Sequence, residues 1–155
     1  MDDLAALAAR VTALEDELAI HRLLVGYGFC ADTGDAEAAA ALFTADATVR
    51  LDDGPPAHGP DAARAVVLSA AHQAQLPRTT HEVGPFAVVV DGDTATATGY
   101  SFLHLRHDDG YRIERISYNR WELRREDGAW RISSRHTALA DGSDRPHALL
   151  RRGIA

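Results

Sequence analysis

Three aspartate–glycine turns constrain this chain more than any other feature. Asp91-Gly92-Asp93, Asp108-Asp109-Gly110 and Asp127-Gly128 cut its second half into four strand-like segments: Thr79 to Val90, Thr94 to His107, Tyr111 to Arg125 and Ala129 to Leu139. Short Asp–Gly connections supply the positive φ angles that tight hairpins need, so successive strands are expected to run antiparallel. A four-stranded meander has one apolar face that something must cover.

The first half supplies the cover. From Leu4 to about Thr33 the pattern is helical. Leu4, Leu7, Val11, Leu14 and Leu18 recur at alternating steps of three and four, a seam of coiled-coil type. From Ile20 the apolar face broadens through Leu23, Leu24 and Tyr27, as expected once a helix meets a core. Gly34 reads as a left-handed stop, and Asp35 as the cap of a short helix to Phe43. Ala47 to Leu51 alternates as a strand, broken by Asp52-Asp53-Gly54-Pro55-Pro56. Gly59-Pro60 opens a third helix, expected to reach about Ala74.

The expected fold is therefore α+β: a cone-shaped, curved antiparallel sheet wrapped around about three N-terminal helices, with a central pocket. Residues 1–18 read as a helical extension suited to self-association, 19–140 as the domain, and 141–155 as a loose, Arg-rich tail or arm. A length of 155 residues fits one such domain.

Charge and composition narrow the partners. A formal net charge of −7 gives no electrostatic footprint for nucleic acid or an anionic membrane. Every basic side chain is Arg, which excludes Schiff-base chemistry on a lysine. The single cysteine, Cys30, excludes an intrachain disulfide and reads as a small buried residue. Neither a secretory leader nor an apolar run of roughly 18 residues is visible, and the chain is expected to be cytoplasmic.

Strand parity sorts the candidate site residues. In the third long strand Ile113, Arg115, Ser117, Asn119, Trp121 and Leu123 form the more apolar face, expected to point at the helices. Ser117 and Asn119 then either satisfy each other within a packed core or line a cavity and address a ligand. Arg115 on that face is expected to pair with Asp32 or Glu82, or to meet an anionic substrate group. In the last strand Trp130, Ile132, Ser134 and His136 share a face, which places His136 toward the concave side.

Tyr27 and Asp32 lie at the end of the first helix. An acid there sits at the negative end of the helix dipole and needs a partner or solvent. His81 opens a strand in Thr79-Thr80-His81-Glu82-Val83-Gly84. If the helix crosses the open end of the cup, Asp32 reaches the imidazole. A carboxylate accepting from one ring nitrogen fixes the tautomer and leaves the other nitrogen as a general base, with Tyr27 free to donate to an oxyanion. The alternative is that Asp32 merely terminates the helix and His81 is a surface residue.

These residues carry a resemblance. Glu17-Leu18-Ala19-Ile20-His21-Arg22-Leu23-Leu24, Tyr27-Gly28-Phe29-Cys30-Ala31-Asp32 and Ala41-Leu42-Phe43-Thr44-Ala45-Asp46-Ala47 resemble the opening of SnoaL-like domains. Val90-Asp91-Gly92-Asp93-Thr94-Ala95 and Asp127-Gly128-Ala129-Trp130-Arg131-Ile132 extend the likeness, which covers roughly Leu18 to His136. The chain is thus similar to the SnoaL-like and scytalone-dehydratase-like branch of the nuclear-transport-factor-two-like superfamily. Within it the scytalone dehydratase pattern implies Asp32 and His81, in His81-Glu82-Val83-Gly84, as catalytic residues and Ser117-Tyr118-Asn119 as an interior pair. The Tyr-x-x-Cys-x-Asp pattern of the bile-acid 7α-dehydratase is reproduced by Tyr27, Cys30 and Asp32. The chain departs at Gly99-Tyr100-Ser101, where Ser101 replaces a second pocket histidine, and at Ala31, which replaces a tyrosine.

The resemblance implies a cofactor-independent lyase or isomerase acting on a hydrophobic, oxygenated ring compound of polyketide or steroid-like type. Asp32, His81 and Tyr27 would be catalytic; Ser101, Ser117, Asn119, Trp121, His136 and Arg115 would contact substrate. A SnoaL-like cyclase with Asp32 as the main acid–base group, and a non-catalytic binding module, are the alternatives. No metal is expected, because His104 and His107 face opposite ways and no carboxylate or cysteine cluster completes a site. His21, His58, His72 and His147 are expected on the surface. The expected partners are a hydrophobic small molecule and further copies of the chain, since such domains form dimers or trimers.

Overall fold

The computed structural model describes residues 2–154. Helix α1 (Asp2–Thr33) ends as expected at Gly34, whose φ of 70° lets its N–H reach Ala31 O while Asp35 N–H reaches Cys30 O. Asp35 caps α2 (Ala36–Ala41), its carboxylate accepting from Ala38 N–H at 2.9 Å. The helix stops short of Phe43, which instead opens β1 (Phe43–Leu51). After the short β2 (Ala57–His58) comes α3 (Pro60–Leu68), with proline in its first turn.

The third helix is broken. Ser69 adopts φ −58°, ψ 140°, and its hydroxyl accepts from His72 N–H to start the separate α4 (Ala70–Gln73). Four long strands follow: β3 (Thr79–Asp91), β4 (Thr94–His107), β5 (Gly110–Glu126) and β6 (Ala129–Leu139). Their three connections are the Asp–Gly turns, and Asp127 and Gly128 both take positive φ, 50° and 78°.

The sheet order is β2-β1-β6-β5-β4-β3, curved and unclosed. It is not wholly antiparallel, because β1 runs parallel to β6, with Thr48 opposite Ser134 and Arg50 opposite His136. Bulges bend it. One extra residue enters β3 between Val83 and Phe86, one enters β5 at Glu114, and one enters β6 at Ser133. The first bulge folds β3 so closely over β4 that a Cβ on Gly99 would lie 2.2 Å from Pro85 O, a position only glycine fits.

Inside the cup Ile20, Leu24 and Tyr27 of α1 pack against Phe43, Val67, Phe86, Trp121, Leu123 and Ile132. Helix α1 already meets the sheet at Asp16, which accepts from Arg125 at 2.7 Å and from Trp130 Nε1 at 3.0 Å. Those bonds, the Arg125 guanidinium first, hold the Asp16 carboxyl below the usual range. The C-terminal segment is not a loose tail. Residues Asp144–Arg151 form α5, which buries Pro146 and Leu149.

Candidate active site

Helix α1 carries its buried face along Ile20, Leu24, Tyr27 and Ala31, at successive steps of four, three and four. Asp32 follows at the edge of that face, in the last turn, where α1 passes the start of β3. Its carboxylate accepts the backbone N–H of His81 through both oxygens, at 3.0 and 2.9 Å, and lies 2.6 Å from His81 Nδ1. An ionised carboxylate only accepts, so this contact calls for a proton on Nδ1, which in the neutral ring leaves Nε2 as a lone-pair acceptor. Nε2 has no hydrogen-bond partner among the described residues. The two side chains are 23% and 20% exposed, enough to meet a ligand while partly shielded from water.

His81 looks into a chamber of about 50 Å³ walled by Tyr27, Val83, Phe86, Asn119, Trp121 and Arg135. The chamber opens into a vestibule of about 350 Å³ lined by Leu51, Val66, Gln75, Leu103, Arg115 and Ser117. Val66, His72, His81, Ser101 and Arg135 border both spaces and form the neck between them.

Arg135 is the residue that parity misplaces. The extra residue at Ser133 reverses the two faces of β6, so Arg135 stands opposite Trp121 and His136 opposite Arg120. Arg135 Nη1 donates to Tyr27 Oη at 2.6 Å, leaving the tyrosine's own O–H free to donate elsewhere. Its guanidinium lies 4.7 Å from the Tyr27 ring and 5.0 Å from the Trp121 ring, so π faces hold the cation with no carboxylate pair among the described residues.

Three buried polar atoms of this chamber lack any partner among the described residues: Asn119 Oδ1, Trp121 Nε1 and Arg135 Nε. Asn119 Nδ2 is satisfied by Ser101 Oγ at 2.9 Å, and Ser117 Oγ accepts from Arg115 Nε at 2.7 Å. An unpaired buried polar group costs about 1–3 kcal/mol, and two donors and an acceptor of this kind all belong to residues that line one chamber, which favours a polar ligand group there.

Other expectations are redirected. Arg115 pairs with Asp52 at 2.6 Å, not with Asp32 or Glu82. Burial pushes the Asp52 carboxyl up, but Arg115 and the Leu139 N–H outweigh it and hold it low. His136 points away from the chamber, into a recess with Arg50, Arg145 and Arg152 beneath α5. Conversely, His72 leaves the surface group: the break at Ser69 brings its Nε2 to 2.8 Å from Ala31 O and its ring to 5.6 Å from that of His81. His104 and His107 pair with Glu82 and Glu114. Cys30 is half-buried, and burial first, then Asp35, pushes its thiol up.

Residues 12–136 match the profile of the SnoaL-like domain family. The chain belongs to the SnoaL-like family. The matched SnoaL-like domain begins within α1, upstream of Asp16, and ends in β6. An NTF2-like protein with a cystatin-like fold from Novosphingobium aromaticivorans is similar at 40% identity and a TM-score of 0.90, over 97% of this chain and 98% of that one. Two further structures share the fold at low identity. One, from the same organism and assigned as a scytalone dehydratase, is 22% identical with a TM-score of 0.69, over 84% and 88% of the two chains. The other, the hexachlorocyclohexane dehydrochlorinase LinA-type3 from Novosphingobium barchaimii, is 17% identical with a TM-score of 0.72, over 84% and 90%. No curated protein sequence matches the chain significantly. Among the described residues no helix is long and apolar enough to cross a membrane.

Proposed function

We propose that this SnoaL-like protein is a cofactor-independent lyase or isomerase of dehydratase type, acting on a hydrophobic oxygenated ring compound of polyketide or steroid-like character. The observation that carries this reading is the 2.6 Å contact between Asp32 and His81 Nδ1 at the wall of an aromatic chamber. Neutral His81 takes a proton through Nε2 from the carbon beside a substrate carbonyl. The C–H electron pair forms an enolate, whose oxygen is held by the Tyr27 O–H and by the unpaired N–H groups of Arg135 and Trp121. As the enolate collapses, the C–O bond to the β-hydroxyl breaks and the His81 proton leaves with that oxygen as water. Asp32 holds the ring and balances the imidazolium formed in between.

The same geometry disfavours a cyclase in which Asp32 is the free acid–base group, because both carboxylate oxygens are engaged by His81. Dehydratase and dehydrochlorinase, the names borne by two structures of this fold, both describe loss of a proton and a neighbouring leaving group. The test is a screen of β-hydroxy carbonyl ring compounds with product mass read by spectrometry. Loss of one water by the wild type, abolished in His81→Ala, supports the reading; turnover that survives His81→Ala refutes it.

A further inference from the structure

Helix α1 carries a second apolar face that its own fold leaves uncovered. Leu4, Leu7, Val11, Leu14 and Leu18 are 74%, 54%, 46%, 66% and 48% exposed. At about 100° per residue they cluster roughly 160–240° around the helix from Asp16, the residue bonded to Arg125 and Trp130. The buried Ile20, Leu24, Tyr27 and Ala31 lie within about 20–80° of Asp16 on the same reckoning. One helix thus has two opposite apolar faces, one inside the cup and one turned away from it. Phe29, 65% exposed, continues the outer stripe beyond Leu18.

We propose that this outer face is the seam of a parallel, in-register, two-stranded coiled coil with a second copy of the chain. Residue types and charges both select that occupant. With Leu4, Val11 and Leu18 at heptad position a, and Leu7 and Leu14 at d, the seam has leucine at d with valine among its a residues, a composition suited to two parallel strands. Arg10 and Glu17 then occupy g, and Glu15 and Arg22 occupy e, and all four are exposed. In a parallel pair each g residue faces the e residue five positions on in the other helix. Arg10 therefore faces Glu15 and Glu17 faces Arg22, opposite charges both times, and each pair occurs twice by symmetry. An antiparallel pair would match Arg10 with Glu17 but leave Glu15 against Ala8 and Arg22 unused. Two heptads alone make a marginal coil. Here the helix is already ordered by the domain that holds its second half, so association need not also nucleate it.

The experiment is sedimentation velocity on the full chain over a wide concentration range. The wild type is expected to run as a dimer. Leu7→Glu combined with Leu14→Glu is expected to give a monomer whose far-ultraviolet circular dichroism is unchanged. Arg10→Glu is expected to weaken the dimer several-fold, and Arg10→Glu with Glu15→Arg to restore it; this pair of surface variants keeps the test decisive if the double glutamate variant fails to fold. Leu4→Cys, in a Cys30→Ser background, is expected to form a disulfide-linked dimer under mild oxidation. A wild-type monomer at every concentration overturns the proposal and leaves the face to another occupant. So does a dimer indifferent to Leu7→Glu with Leu14→Glu, which would place the interface elsewhere. A dimer that Leu4→Cys does not cross-link overturns the parallel register.

Discussion

His81 and His136 border two recesses of the same sheet, and their neighbours prepare them for opposite behaviour. His81 Nδ1 lies 2.6 Å from a carboxylate, which orients the ring and stands beside the charge that proton abstraction would place on it. His136 is half-buried beneath α5 with Arg50 close by; desolvation first, and then that cation, outweigh the nearby Asp52 and hold its imidazole below the usual range. Position in a recess does not make a histidine a base. What surrounds the ring decides it, and a single bulge at Ser133 determines which side of the sheet each residue of β6 belongs to.

Substitutions put that contrast to the test. The largest effect is expected at the His81 pair. His81→Ala, or Asp32→Asn, whose amide would donate to Nδ1 and favour the wrong tautomer, should lower kcat for the proposed elimination by about 10²–10⁴-fold in steady-state assays. An equal loss from His136→Gln would erase the distinction between the two histidines. Arg135→Met should come next, with about a 10²-fold loss in kcat and a small change in KM, because it removes a donor aimed at charge present only in the transition state. Ser117→Ala should change kcat less, since its hydroxyl serves Arg115.

The smallest effect on turnover is expected from His136→Gln, within about twofold, but this variant should alter stability against pH. The folded protein resists protonating His136, whereas the unfolded chain binds that proton as pH falls past about 6.5. Wild-type stability should therefore decline from that point down through the lower folded value, and His136→Gln should flatten the decline. Urea denaturation at about pH 7 and pH 5 reads the difference. Equal slopes for the two proteins would remove the electrostatic half of the contrast.

The three hairpin turns, the four long strands and the junction of α1 with α2 were legible because each is written locally. Asp–Gly pairs mark the hairpins, Gly34 ends α1, and Asp35 opens α2. The parallel pairing of β1 with β6 was not, since it joins segments more than eighty residues apart and no local pattern encodes the choice of partner. In the site, Tyr27, Asp32, Asn119 and Trp121 could be placed from helix spacing and the parity of β5. Arg135 was missed because the bulge before it carries no glycine or proline to announce it. His72 was missed for a related reason: Ser69 breaks the helix through backbone angles that an Ala- and Val-rich run does not advertise. For α5 a signal did exist, in Ser143-Asp144-Arg145-Pro146, a helix-start pattern with proline in the first turn.

Whether Asp32 makes Nε2 of His81 the proton acceptor can be read without any substrate. Long-range ¹⁵N–¹H correlation spectra of histidine-labelled protein at about pH 8, with the His81 signals assigned by their absence in His81→Gln, report which ring nitrogen bears the proton. A proton on Nδ1 and a bare Nε2 are expected, with that preference lost in Asp32→Asn. A proton on Nε2, or a spectrum that Asp32→Asn leaves unchanged, would contradict that role of Asp32.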